Sequence, residues 1–173
     1  MPDHTASSEN IEGPEISTYY LSPVGALQIT GTGDAISALR FVEGNPGRGP
    51  ASVPAALQIC LDQLDEYFKG QRQEFSIPLH LAGTEFQRRV WNHLLTIPFG
   101  VTRSYMSVAE ALGNRDAVRA VGLANGQNPI AIIVPCHRVI GSDGSLTGYG
   151  GGLWRKEWLL GHEGHAIQRR LML

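Results

Sequence analysis

The chain has 173 residues, 42% of them hydrophobic and 17% charged, with a net charge of −2, which suits a folded chain with a sizeable core and excludes a disordered or polyanion-coating one. No apolar run approaches the roughly 20 residues of a membrane span, and the acidic start "MPDHTASSENIEGPE" lacks the basic-then-apolar order of a secretory leader. Cys60 and Cys136 are the only cysteines; they build no disulfide framework and offer no metal-ligand spacing, so a reducing cytoplasm and no metal or other cofactor are expected.

Residues 1–15 read as a flexible tail and 165–173 as a second one. From Ser17, "STYYLSPVGALQITGTGDAISALRFVEG" alternates apolar runs with Pro, Gly and Asn breaks, the pattern of short strands in an antiparallel meander. Residues 44–53 are loop by composition. "PAALQICLDQLDEYFKG" then carries Leu57, Cys60, Leu61, Leu64 and Phe68 at helical spacing, and Gly70 ends it. Cys60 sits on that stripe, where a free cysteine packs as a small hydrophobe. "EFSIPLHL" predicts one more strand, which closes an N-terminal domain over 16–82.

A second domain is expected over 83–164. Thr84 and Gln87 have the spacing of a capping box, and the helix behind them turns Phe86, Val90, Leu94 and Leu95 inward. Short helices around Ser107–Leu112 and Ala117–Ala124, joined by a Gly-Asn turn, predict a helix-turn-helix; any helical hairpin shares the pattern. "PIAIIV" predicts a buried strand ending at Pro135, Cys136 and His137. A glycine-dense loop, "GSDGSLTGYGGG", and a closing helix, "LWRKEWLLGHEG", follow. The expected class is therefore α/β of the α+β kind. It has a small antiparallel sheet with a helix, then a mostly helical domain with a helix-turn-helix and an active-site strand and loop.

Charge is uneven along this plan. Residues 1–82 hold four Lys/Arg against ten Asp/Glu, and residues 83–156 hold eight against four. The rear half thus permits a polyanionic partner.

The chemistry centres on "IIVPCHRVIG". A cysteine attacks as its thiolate and needs a base or a positive charge close by, which His137 and Arg138 supply. On an extended strand, neighbours face opposite ways, so Cys136 and His137 would need a turn or a bridging water to communicate. Glu163, in "HEG", is a candidate third group to orient the histidine. The alternative at this point is a buried cysteine beside a surface histidine. Six glycines from Gly141 to Gly152 let backbone approach a ligand closely, while the phosphate-loop order is missing.

"GTEFQRRVW", "IPFGVTRSY", "AVRAVGLANGQNPIAIIVPCHRVIG", "GSLTGYGGG" and "RKEWLLGHEG" together resemble the O6-alkylguanine-DNA alkyltransferases, in the family's order and spacing across nearly all of 84–164. "SPVGAL" in the front region also fits. The resemblance implies direct-reversal repair: O6-alkylguanine is flipped out of duplex DNA and its alkyl group passes irreversibly to Cys136, once per molecule. It makes His137 the base, acting through a bridging water, and Glu163 the group that holds it. Tyr105 would donate toward the guanine ring, and Asn128 would be the hinge between helix-turn-helix and active-site strand. Arg119 would fill the gap left by the flipped base. Ala117, Ala120 and Gly122 would let the second helix into the minor groove. The carbonyls of Cys136 and Val139 and the N–H of Gly150 would read the base edge, with Tyr149 closing the pocket and Lys156 among the substrate- or DNA-contacting residues.

The implied partner is double-stranded DNA carrying O6-alkylguanine, with O4-alkylthymine left open. A monomer is expected in solution, and clustering along DNA is also left open. Val118 stands where alanine is expected and Gly150 where some relatives carry serine, which suggests a bulkier groove face and a more mobile loop. A binding module of the alkyltransferase-like kind would lack the nucleophile, and Cys136 is present. A cysteine hydrolase would need a directly bonded histidine, which an adjacent pair does not favour.

Overall fold

The computed structural model describes residues 13–165, so the tails expected over 1–15 and 165–173 lie almost wholly outside the described residues. The meander forms as read. Strands β1 (Ile16–Ser22), β2 (Gly25–Gly31) and β3 (Ile36–Val42) pair antiparallel in the order β1-β2-β3. Ser22 pairs with Gly25 across a Pro23-Val24 turn. Gly25 there has φ +107°, a conformation that residues with a Cβ seldom adopt. Leu27, Ile29, Ile36 and Leu39 are fully buried, and helix α1 (Ala55–Phe68) covers them with Leu57, Cys60, Leu64 and Tyr67.

The segment expected as a fourth strand, 74–81, is extended but makes only one bridge, Ile36 to Leu79. Pro78 lacks the N–H a ladder needs, and its carbonyl accepts from Ile36 instead.

Helix α2 (Glu85–Leu94) begins at a complete capping box: the Thr84 side chain accepts from Gln87 N, and the Gln87 side chain accepts from Thr84 N. Trp91, buried on α2, donates from Nε1 to the carbonyl of Ala124 at 2.8 Å. That bond ties α2 to the helix-turn-helix, whose helices are α3 (Tyr105–Ala111) and α4 (Val118–Gly126), joined by a loop that includes a 3-10 turn at Arg115–Ala117. A two-residue parallel pair, β4 (Arg103–Ser104) with β5 (Val139–Ile140), and helix α5 (Leu153–His162) complete the order.

One expectation fails in an informative way. Residues 129–134 are not a strand. Ile130 makes a single bridge to Leu39, and then the chain reverses. Ile133 N donates to Ala131 O at 2.8 Å across Ile132, whose φ is +71°. Such a three-residue turn is rare and costs a β-branched residue roughly 1–2 kcal/mol. A second three-residue turn follows at Pro135 (φ −83°, ψ 62°), where Cys136 N donates to Val134 O. The apolar run imitates a strand because Ile130, Ile132 and Val134 are all buried, but they reach the core through turns. Strand pairing resumes only after the cysteine, in β5.

The core is continuous. Residues of β2, β3, α1, α2, α3, α4 and α5 belong to one apolar cluster, and β3 is stitched directly to the turn before Cys136, because Leu39 N donates to Pro129 O and Ala131 N to Leu39 O, both at 3.0 Å.

Candidate active site

Cys136, His137 and Arg138 form a single 3-10 turn. This geometry replaces the expected strand end and removes the opposite-faces objection, because consecutive side chains of a tight helix fan round one axis. The Cys136 residue is only 6% exposed. Burial raises its thiol pKa; a side-chain hydrogen bond from Asn128, the charge of Lys156 and the backbone amides of Cys136 and His137 act the other way. The resting sulfur is therefore a protonated thiol that needs a base.

His137 has that role open to it. It is fully buried, and its Nε2 lies 2.8 Å from Glu163 Oε1. Arg138 donates to the same carboxylate from Nε to Oε2 at 2.8 Å and from Nη2 to Oε1 at 2.9 Å. Burial alone would raise the Glu163 pKa, but these partners hold it well below the usual carboxylate range. An ionised carboxylate only accepts, so Nε2 carries the imidazole proton and Nδ1 is the acceptor. Nδ1 is buried and has no hydrogen-bond partner. Burial also lowers the His137 pKa against the pull of Glu163. The product is a neutral imidazole with its lone pair unused, one residue from the thiol.

Two clefts meet at the glycine loop. One, of about 350 Å3, holds Cys136 together with Asn128, Tyr149 and Gly150, and is backed by Leu39 and Phe41 of β3. The other, of about 430 Å3, opens on the helix-turn-helix and holds Tyr105, Arg119, Gly122 and Tyr149. Asn125, Gly126, Gly148 and Tyr149 line both. Arg119 and Ala120 are exposed on α4, as is Leu123; Ala117 ends the preceding 3-10 turn, and neither alanine lines these two clefts. Asn128 stands where the helix-turn-helix ends: its Nδ2 donates to Val134 O at 2.8 Å, and its Oδ1 accepts from Ile130 N at 3.0 Å.

Lys156, expected among the substrate- or DNA-contacting residues, is fully buried. Its Nζ donates to Val139 O at 2.6 Å and Thr147 O at 3.1 Å, and lies 3.4 Å from Tyr105 Oη. Burial pulls its pKa down to about 8. The ammonium thus pins the loop to β5, and the Val139 carbonyl expected to read a base already has a partner. The Cys136 carbonyl likewise accepts from Asn125 Nδ2 at 3.3 Å. Tyr105 donates to Thr147 O at 2.9 Å; burial raises its pKa, so it remains a proton donor.

Two residues of the site escape the sequence reading, and a third has a different part from the one expected. Arg138, expected as a charge for the thiol, places its guanidinium on Glu163. Asn125, on α4, holds the Cys136 carbonyl and leaves its own Oδ1 buried without a partner. Tyr67, on α1, donates to Glu163 Oε1 at 2.8 Å. In sequence it is one more aromatic residue in an amphipathic helix, with no signal to single it out. Among the described residues no cluster of His, Cys, Asp and Glu is suited to a metal ion, and no helix is long and apolar enough to cross a membrane.

Comparison with known proteins adds the following. Residues 16–81 match the profile of the 6-O-methylguanine DNA methyltransferase ribonuclease-like domain, and 85–165 that of the 6-O-methylguanine DNA methyltransferase DNA binding domain. A methylated-DNA–protein-cysteine methyltransferase of Mycobacterium tuberculosis is 54% identical over 142 residues, 80% of this chain and 86% of the relative. One of Mycobacterium leprae is 53% identical over 155 residues, 88% and 94% of the two chains. Among solved structures, the M. tuberculosis O6-methylguanine methyltransferase superposes with a TM-score of 0.79 at 48% identity, covering 90% of this chain and 96% of that one. The M. tuberculosis OGT in complex with DNA superposes at 0.78 and 52% identity, covering 85% and 91%.

Proposed function

The chain belongs to the 6-O-methylguanine DNA methyltransferase family, and from that premise we propose that it repairs duplex DNA by moving the alkyl group of O6-alkylguanine onto Cys136. It is a methylated-DNA–protein-cysteine methyltransferase, and alkylated double-stranded DNA is its partner. The observation that carries the assignment of roles is the neutral His137, with Nε2–H on Glu163 and Nδ1 vacant.

Since a base inside the stack cannot be reached, the damaged nucleotide swings out and enters past α4, where Arg119 stands at the cleft mouth to occupy the vacated place. The Cys136 proton passes through a water to His137 Nδ1. Glu163, held in place by Arg138, stabilises the imidazolium that forms. The thiolate attacks the alkyl carbon, a C–S bond forms and the C–O6 bond breaks. Tyr105 donates toward the ring, so guanine departs neutral. A thiolate is a poor leaving group from an alkyl carbon, so the thioether persists and each molecule acts once. Asn128 holds the turn that carries the sulfur, and Gly150, which lines the cleft with Tyr149, offers its N–H to the base edge. The domain limits 16–82 and 83–164, with the rear half bearing the DNA contacts, belong to the same proposal, as does a cytoplasmic location for a chain with two free thiols.

Intact mass after mixing with a duplex containing one O6-methylguanine tests the assignment. One added methyl group, mapped to Cys136 and absent in Cys136→Ala, is expected. Tight binding without a mass change would make the chain a damage-sensing relative instead.

A further inference from the structure

We propose that Tyr67, a residue of α1 in the N-terminal half, is a positioning residue of the alkyl-transfer site, acting through Glu163. The inference rests on the function just proposed, and it deepens that reading by giving the N-terminal half a part in the chemistry.

The geometry is specific. The Tyr67 hydroxyl donates to Glu163 Oε1 at 2.8 Å, the same oxygen that accepts from His137 Nε2 at 2.8 Å and from Arg138 Nη2 at 2.9 Å. Tyr67 and His137 are fully buried and Glu163 is 4% exposed, so water does not substitute for a lost donor without rearrangement. The phenol cannot swing away. Phe68, Phe75, Phe99 and His162 stand around its ring at 5.0–6.2 Å, and the Tyr67 carbonyl accepts from His162 Nε2 at 2.7 Å. Glu163 follows α5 directly, as its C-cap. Without Tyr67, the carboxylate would be held only by the turn it is meant to orient. The phenol supplies a fixed point from a different element.

Donors that share one carboxylate oxygen compete for its charge. Tyr67 therefore sets the place of Oε1 and moderates its pull on the imidazole. The charged and titratable groups that face His137 are Glu163, Arg138, Lys156 and Cys136, with Tyr67 behind Glu163. Removing the hydroxyl leaves Oε1 freer to stabilise imidazolium. The His137 pKa then rises, and the acidic limb of the rate profile moves to higher pH, since only neutral His137 takes a proton.

The test is Tyr67→Phe, which keeps the ring. At pH 8, where His137 is neutral in both proteins, single-turnover methyl transfer is expected to slow by about tenfold, because an unanchored Oε1 lets the imidazole leave its productive place and that loss outweighs its greater basicity. The acidic limb should move up by about half to one pH unit. Affinity for the methylated duplex should stay within about twofold, because the phenol is far below the surface. A merely structural tyrosine would lower Tm and leave the limb in place, and that result overturns the proposal. The same pH series with iodoacetamide, read as mass added at Cys136, needs no DNA. A wild type that iodoacetamide labels but O6-methylguanine duplex does not methylate sinks the repair reading, while the Tyr67 comparison stands on the iodoacetamide rates. Should Tyr67→Phe not fold, proton NMR of the wild type decides. An exchange-protected Tyr67 hydroxyl proton with an NOE to His137 Nε2–H is expected, and its absence overturns the proposal.

Discussion

At the scale of single residues, the site depends on keeping one carboxylate charged inside the core. Glu163 receives Tyr67, His137 and two bonds from Arg138, and this closed set is what leaves His137 Nδ1 available. Glu163→Gln keeps the volume but removes the charge. Arg138 would remain buried opposite a neutral amide, a loss of about 3–5 kcal/mol by analogy with broken buried pairs, and the amide could donate to His137 and reverse its tautomer. The expected result is methyl transfer slowed by at least about a hundredfold at pH 8, together with a lower urea midpoint. An unchanged rate in Glu163→Gln would show that the histidine acts without the relay. Of the roles proposed, those of Cys136, His137 and Glu163 rest on what the sequence already offers, because a thiol needs a base and a base needs an orienter. Those of Tyr67 and Asn125 do not, since a tyrosine in an amphipathic helix and an asparagine in a recognition helix look the same whether they face the core or a catalytic group.

At the scale of elements, the glycine loop shows where space and where freedom matter. A Cβ on Gly151 would come within 2.6 Å of the Phe41 ring and 3.1 Å of Arg155 Cδ, whereas one on Gly150 would meet nothing within 4 Å. Arg155 is itself fixed, since Nε donates to Val24 O at 2.6 Å and its guanidinium lies over Phe41 and Trp154 at 4.7 and 4.6 Å. Gly151→Ala is therefore expected to lose about 1–3 kcal/mol from overpacking and to slow transfer by displacing Tyr149. Gly150→Ala should stay within about 0.5 kcal/mol of wild type. Paired thermal melts and transfer rates check both. The capping box at Thr84 was legible because local hydrogen bonding determines it. The turns at Ile132 and Pro135 were not. Their apolar residues have the composition of a strand, and the positive φ at Ile132 is held by tertiary contacts with Leu39 that no local signal announces.

At the scale of the whole molecule, the Tyr67–Glu163 bond, the Leu39–Pro129 and Ala131–Leu39 pairs and the Arg155–Val24 bond all cross between the two halves. Acid should therefore unfold both halves together. The folded pKa of Glu163 is depressed, so its contribution to stability is complete above the unfolded value near about 4.3 and is lost as pH falls below it. Tm measured from pH 7 down to pH 3 should fall more steeply below about pH 4.5 in wild type than in Glu163→Gln, and circular dichroism and tryptophan fluorescence should report one transition. The meander, α1 and the alkyltransferase signature made this architecture readable in outline, but the seam between the halves was invisible, being built from backbone bonds and side chains distant in sequence. The burial of Cys136 has one more consequence. Hydrogen peroxide and soluble electrophiles consume exposed thiolates quickly, whereas Cys136 is a residue only 6% exposed whose thiol burial keeps protonated, so such reagents reach it slowly. A molecule that can act only once keeps its reactive atom in storage, shielded from oxidative wear until damaged DNA arrives.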